Sequence, residues 1–273
     1  MVAGLGLLTA IALFAIAAPL FGDPLQQDLT NGLDDFGLPL PFLSHGYPLG
    51  TDSLGRDLIP RLAYGGRISL IVAIVATFTS VALGLLVGLL AGFYRGATEG
   101  LLLRFADVAL ALPFTLAALV IAASTPPGVM RVIVIITFLF WAYPARLFYG
   151  EVLALRSRTF VAAAEATGVP GYRNIWRHIL PHLRPLILTY VPLNAAAAVG
   201  FEATLSFLGA GVNPPTPSWG NMISEGESAI FYAPHLLIAP ALMILFTTMS
   251  FLLIGEGLKE QDPERRKISW LGV

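Results

Sequence analysis

Long apolar runs separated by short polar stretches dominate the chain. A helix needs about 20 mostly apolar residues to cross a bilayer. Six stretches meet that length, at 2–21, 68–93, 101–123, 132–150, 186–207 and 236–257. The first two carry no charge, and the third holds Arg104 and Asp107 near its start. The others admit Arg146, Glu202 and Glu256. Pro113, Pro144, Pro192 and Pro240 fall inside spans, where neighbouring helices re-satisfy the freed carbonyls, so kinks are expected rather than helix ends. The pattern predicts an all-α membrane protein with six transmembrane helices. The first run has no basic residues before it, and Pro19 follows the small-residue site at Ala18, so it reads as a span rather than a cleaved signal peptide.

The loops set the orientation. With six spans, Arg56, Arg61, Arg67 and Arg131 fall on one side and the other twelve of the 16 basic residues on the opposite side. Basic residues favour the cytoplasm, so both termini and the 151–184 loop are expected there. The organisation that follows is a first helix with an extracytoplasmic loop (1–67), a five-helix core (68–257) and a cytoplasmic tail (258–273). At the end of the outer loop, Thr51 or Asp52 is placed to cap a short helix running through Arg61 toward the second span, either as a surface entry helix or as a contact for an outside partner. Within that span Gly84, Gly88, Gly92 and Gly96 repeat every four residues, a stripe that lets another helix approach closely, within the chain or across a subunit boundary. Arg104 and Asp107 share a helix face and read as an interfacial ion pair.

In the 151–184 loop an alanine-rich run favours a helix that Gly168 stops. Ala163, Ala164 and Gly168 are small enough for that helix to seat in a partner's groove; a plain surface helix is the alternative. Glu202 is the acid set deepest in a span, a costly position that points either to a pathway or gate or to a hydrogen bond between helices. The segment after it, 206–221, has three prolines in four residues at its centre, which excludes a continuing helix and favours a folded re-entrant or interfacial segment. Glu202, Phe207 and Trp219 are the candidate pathway or gate residues.

Composition removes most other functions. Hydrophobic residues make up 56% of the chain and charged residues 12%, against about 25% charged in an ordinary soluble domain. Mean hydropathy is +0.76. A net charge of −1 gives no nucleic-acid footprint. Cysteine is absent, which excludes disulfides and thiolate metal sites. His178 and His182 are four apart, but Pro181 lies between them and no third ligand is near, so no metal is expected. Neither lysine, Lys259 nor Lys267, sits in a phosphate-binding loop, and no nucleophile–base or metal-hydrolase motif is present. These observations describe a pathway-forming subunit without an ATPase site. An ion-gradient-driven secondary transporter is the other reading; it calls for inverted repeats and paired intramembrane ion-binding residues, and one buried acid and no convincing repeat are found.

Seven segments then carry a resemblance: PLGTDSLGRD (48–57), YGGRISL (64–70), RFADVALALP (104–113), the 161–181 loop, EATLSFLGAG (202–211), PPTPSWGN (214–221) and GEGLKEQDP (255–263). Together they resemble the permease subunits of binding-protein-dependent ABC importers, specifically the second (C-type) permease of the dipeptide, oligopeptide and nickel class. The resemblance implies a type I importer permease fold. It makes the 151–184 loop the "EAA" coupling segment that docks on a cytoplasmic ATPase, with Ala163, Ala164, Glu165, Gly168, Arg177 and Pro181 as its site residues. Ala162 stands where the motif often has Glu, and Glu165 projects from nearly the same helix face. Such subunits usually start with a basic tail, whereas this sequence starts at the membrane. The implied partners are a homologous permease, two cytoplasmic ABC ATPase subunits, an extracytoplasmic solute-binding protein and the lipid bilayer of a prokaryotic cytoplasmic membrane. No cofactor is implied for this chain; ATP is used by the partner subunits. Peptides, nickel, opines and oligosaccharides are all cargo of such systems.

Overall fold

The computed structural model describes residues 1–259, and every described element is helical. The 260–273 part of the expected tail lies outside the described residues. Helix α1 (Val2–Ile16) is followed by a 3-10 turn and a long excursion of turns from 21 to 57. Then come α2 (Leu58–Tyr94), α3 (Ala97–Ala111), α4 (Phe114–Ala123), α5 (Val129–Phe140) and α6 (Ala142–Arg156). Two short helices, α7 (Thr159–Ala166) and α8 (Gly171–Asn174), lead through a π-helical turn, Ile175–Ile179, into α9 (Leu180–Phe207). A short α10 (Trp219–Gly226) precedes α11 (His235–Lys259).

Four helical runs are long and apolar enough to cross a membrane: α2, α5 with α6, α8 through α9, and α11. The α3–α4 pair, bent by 89°, is a fifth candidate, and α1 is apolar but only 15 residues long. The third stretch therefore departs from the expected kinked span. Pro113 disfavours the helical conformation for the residue before it, and Leu112 is extended (φ −77°, ψ 134°), so α3 ends there and α4 starts afresh. Pro144 does lie within a span, as expected: α5 and α6 run on as one, broken only at Trp141, where Pro144 has no N–H to give the Phe140 carbonyl. Pro185 and Pro192 in α9 and Pro240 in α11 do lie inside helices.

The entry helix is not separate. It forms one continuous 37-residue helix with the second span. Its cap is Asp57, whose carboxylate accepts from Ile59 N at 2.9 Å, not Thr51 or Asp52. Thr51 is taken up by the loop, donating to Gly32 O and accepting from Leu40 N, and Asp52 is taken up by arginines. Helix α2 ends where Arg95 (φ 49°) and Gly96 (φ 66°) turn the chain back.

Helix α2 is the axis of the bundle. Its glycine stripe meets α6, running parallel to it. A Cβ at Gly84 would lie 2.7 Å from Pro144 Cγ, at Gly88 2.8 Å from Ala145 O, and at Gly92 2.7 Å from Val152 Cγ1. The stripe is therefore an intrachain seam, the kind of backbone approach that drives helix association in lipid. Gly96 is outside it, in the turn before α3. On the other side α2 packs on α9 and α5 through small and branched residues, including Val72, Ala73, Ile135, Ala195 and Val199. At one end of the bundle lie α7 and the start of α9; the end of α11 is there too, against α1, since a side chain at Gly257 would meet Met1. At the other lie the 22–57 excursion and α10.

Candidate functional site

At the α10 end, Glu202 has no exposed surface. Its two oxygens accept from Ser69 of α2 at 2.9 Å and Ser206 of its own helix at 2.8 Å. Ser206 Oγ also receives Val212 N, and Ser69 Oγ receives Trp219 N at 3.4 Å. Glu202 thus anchors both sides of the 206–221 segment. Trp219, also wholly buried, donates its indole N–H to Leu62 O at 3.0 Å. Its ring lies over Gly65 and Gly66, where added Cβ atoms would come within 3.3 and 2.9 Å of it. Ser218 and Asn221 close a capping box at the start of α10. Asn221 Nδ2 holds the Val212 and Thr216 carbonyls, so the proline-rich segment is folded, as its sequence indicates. Of the three candidate gate residues, Glu202 and Trp219 therefore face the interior of the subunit, because their polar atoms are consumed there; Phe207 alone keeps surface, at 38%.

Beside this hub is a cluster the sequence did not reveal. Asp52 Oδ2 accepts from Arg56 Nε at 2.6 Å and Arg61 Nη1 at 2.5 Å. Glu225 Oε2 accepts from Arg61 Nη2 at 2.6 Å and Arg56 Nη2 at 3.1 Å. Arg61 is only 2% exposed. Arg56, within PLGTDSLGRD, and Arg61, on the entry helix, were legible in the sequence, but their pairing was not, since Glu225 is far away in the chain. Arg131 is a second hidden fastener: it donates to Ala122 O and Thr125 O behind α4 and to Ala210 O and Gly211 O after α9. A cation suits a helix C-terminus, and this one ties two chain reversals together.

At the α7 end, the alanine-rich helix ends in a Schellman motif. Val169 N bonds Ala164 O at 3.1 Å and Gly168 N bonds Glu165 O at 3.0 Å, with Gly168 at φ 78°. This is the conformation glycine adopts without penalty, so the glycine stop has a backbone reason. Val161 and Ala164 turn inward, Val161 joining a cluster with Phe93 of α2, Val152 of α6 and Ile175, Ile179 and Leu183. Ala163, Glu165, Gly168 and Arg177 are exposed, and Pro181 is half-buried at the start of α9. Glu165 approaches Arg156 at 4.0 Å, and Arg156 reaches the Phe93 carbonyl at the end of α2 at 2.5 Å. Asn174 is fully buried with neither amide atom partnered among the described residues, immediately before the π turn.

Two further pairings differ from the sequence pattern. Asp107 pairs with Arg146 of α6 rather than with Arg104, and Tyr149 of the same helix donates to Glu99, so α3 is strapped to α6. His182 Nδ1 lies 2.6 Å from His178 O and its ring stacks on Phe160.

The geometry defines a multi-pass helical membrane subunit with one small helix presented at one end and a braced, folded segment at the other. Residues 84–260 match the family described as binding-protein-dependent transport system inner membrane component. The oligopeptide transport system permease protein OppC of Haemophilus influenzae is 34% identical over 97% of this chain and 85% of its own length. OppC of Bacillus subtilis is 35% identical with the same coverage. The glutathione transport system permease protein GsiD of Escherichia coli O157:H7 is 38% identical over 82% of this chain and 74% of its own. In fold the chain is similar to the inward-facing methionine ABC transporter MetNI, with a TM-score of 0.62, 18% identity, and coverage of 72% of this chain and 94% of that one. The chain belongs to the binding-protein-dependent transport system inner membrane component family, and it is a transmembrane permease of an ABC importer.

Proposed function

We propose that this permease serves the uptake of short peptides or a closely related solute. The reading rests on its relatives: those it matches over most of their length are named as oligopeptide and glutathione permeases. In this reading the chain crosses the prokaryotic cytoplasmic membrane six times, α1 and the bent α3–α4 pair included, with both termini cytoplasmic. The α7 end then faces the cytoplasm and the α10 end faces out. The organisation is the first helix with its outer loop (1–67), the five-helix core (68–257) and the cytoplasmic tail (258–273).

Helix α7 and its flanks, with Ala163, Ala164, Glu165, Gly168, Arg177 and Pro181, are the coupling segment. Its outward face is free for a groove on an ATPase subunit, and its inward face grips the ends of α2, α6 and α9. Two ATPase subunits dock on this chain and a homologous permease, and an extracytoplasmic solute-binding protein delivers cargo. ATP binding draws the ATPases together and biases the permease pair between inward- and outward-facing states through differential affinity. This chain makes and breaks no bonds and binds no cofactor. An affinity-tagged chain purified from native membranes in mild detergent tests the assembly: a second permease and ATPases should co-elute, with ATP-dependent peptide uptake after reconstitution. Elution alone, with uptake driven by an ion gradient, would overturn it.

A further inference from the structure

The open surface of a span in lipid is built of large apolar side chains, and α11 follows that rule, presenting Leu242, Leu245, Met249 and Leu252. One face of the bundle departs from it. On α6 this face holds Tyr143, Arg146 and Gly150, which share a side of the helix at spacings of three and four. On α9 it holds Tyr190, Ala197 and Thr204, at spacings of seven. Gly200 opens on the same side; a Cβ on it, or on Gly150, would meet nothing within 4 Å. The two helices join at Tyr143 and Tyr190, whose rings stack with centroids 6.1 Å apart. The stripe therefore continues from the α7 half of the bundle into the α10 half.

Its polar groups are at odds with hydrocarbon. Arg146 and Asp107 pair inside apolar runs, yet their side chains are 47% and 50% exposed. Charges within spans face a bundle interior or a water-filled cavity. Tyr143 is 61% exposed, and its hydroxyl has no partner among the described residues. The Tyr190 oxygen accepts from Asn194 Nδ2 at 3.3 Å, and Asn194 Oδ1 is held by Ser80 Oγ at 3.3 Å. The oxygen is thus fixed in place, while nothing among the described residues accepts its O–H. A dry seam with a second subunit would bury the ion pair at a desolvation cost and strand both O–H donors. Small residues beside an exposed ion pair and two free donors fit a wet wall instead.

We propose that the joined face of α6 and α9 is this subunit's wall of the translocation pathway. At its waist the Tyr143 and Tyr190 hydroxyl groups donate to carbonyl oxygens of passing cargo, a contact any peptide offers whatever its side chains. The wall rests on the importer role alone; the carbonyl contact rests on the peptide reading above.

The chain has no cysteine, so single thiols can report on the wall. The whole importer complex, with its partner subunits freed of reactive cysteine, is reconstituted in nanodiscs and treated with a charged methanethiosulfonate. Ala197→Cys and Gly150→Cys should react at least about tenfold faster than Met249→Cys on the lipid face, because the reagent needs water at the thiol. Labelling no faster than at Met249 is what a dry seam gives and would overturn the wall. Tyr143→Phe combined with Tyr190→Phe keeps both rings and removes both hydroxyl groups. ATP-driven uptake of trialanine should then fall about tenfold, at an unchanged unfolding temperature. Undiminished uptake, or a fall accompanied by a lower unfolding temperature, would overturn the cargo contact. A wild-type complex that labels as expected but takes up no trialanine removes only the peptide reading. One that takes up trialanine without the labelling pattern removes only the wall.

Discussion

At the residue scale, the most economical contact is Trp219 over the glycine pair 65–66, because a side chain at either glycine would occupy the space of the ring. Trp219→Ala is expected to cost about 3 kcal/mol or more, read as a lower unfolding temperature in detergent. Glu202 brings two hydroxyl groups together, and a truncated variant leaves both buried without an acceptor, at about 1–3 kcal/mol each. Glu202→Ala should therefore lower thermal stability and uptake together; loss of uptake with stability intact would return this acid to the pathway. In the outer loop, the Asn31 amide, followed by the Tyr47 hydroxyl, holds the Asp28 carboxyl below its usual value. A lowered folded-state pKa gives a contribution that is full above the unfolded value and fades as pH falls through the folded one. Acid below the ordinary carboxylate value of 3.8 should thus loosen the 28–55 loop, seen as faster amide exchange there, whereas milder acid should not, and Asp28→Asn should remove that pH dependence.

At the element scale, spacing revealed the glycine seam but not its partner. A period of four identifies a face, while only the fold shows that α6 fills it. Gly88→Leu should reduce complex yield and thermal stability, whereas Gly100→Leu, which meets nothing within 4 Å, should not. The end of α7 was legible for a local reason, since a Schellman motif needs only a few neighbouring residues. Gly168 at φ 78° faces open space, so strain and docking can be separated there. Asn and Asp both tolerate the left-handed conformation, yet only Asp adds a charge to the free face. Gly168→Asp should uncouple uptake from ATP hydrolysis and Gly168→Asn should largely retain it; equal behaviour would remove the docking argument. The break at Pro113 was less legible. Membrane helices tolerate prolines, and the 89° turn depends on α3 being held against α6 by Asp107–Arg146 and Tyr149–Glu99.

At the scale of the whole molecule, hydropathy alone exposed the class, because apolar length is a local property. The brace at the α10 end was hidden, because Arg61 and Trp219 find Glu225 and Leu62 across most of the chain. The six-span topology can be tested directly, since a chain without cysteine gives a clean background for single-cysteine labelling. Ser53→Cys should react with an impermeant reagent from outside the cell, and Arg158→Cys only after the membrane is opened.

Helix α2 carries a mechanical consequence. At 37 residues it is about 55 Å long, against a hydrocarbon core of about 30 Å. Its first turns hold Arg61 and Leu62, bonded to Glu225 and Trp219, and its last turn holds Phe93, packed with Val161 of α7. It is a lever with a load at each end. A rocking of about 10° about its midpoint would swing each tip by about 5 Å in opposite directions, given that length. A push delivered at α7 would arrive at the opposite tip as displacement.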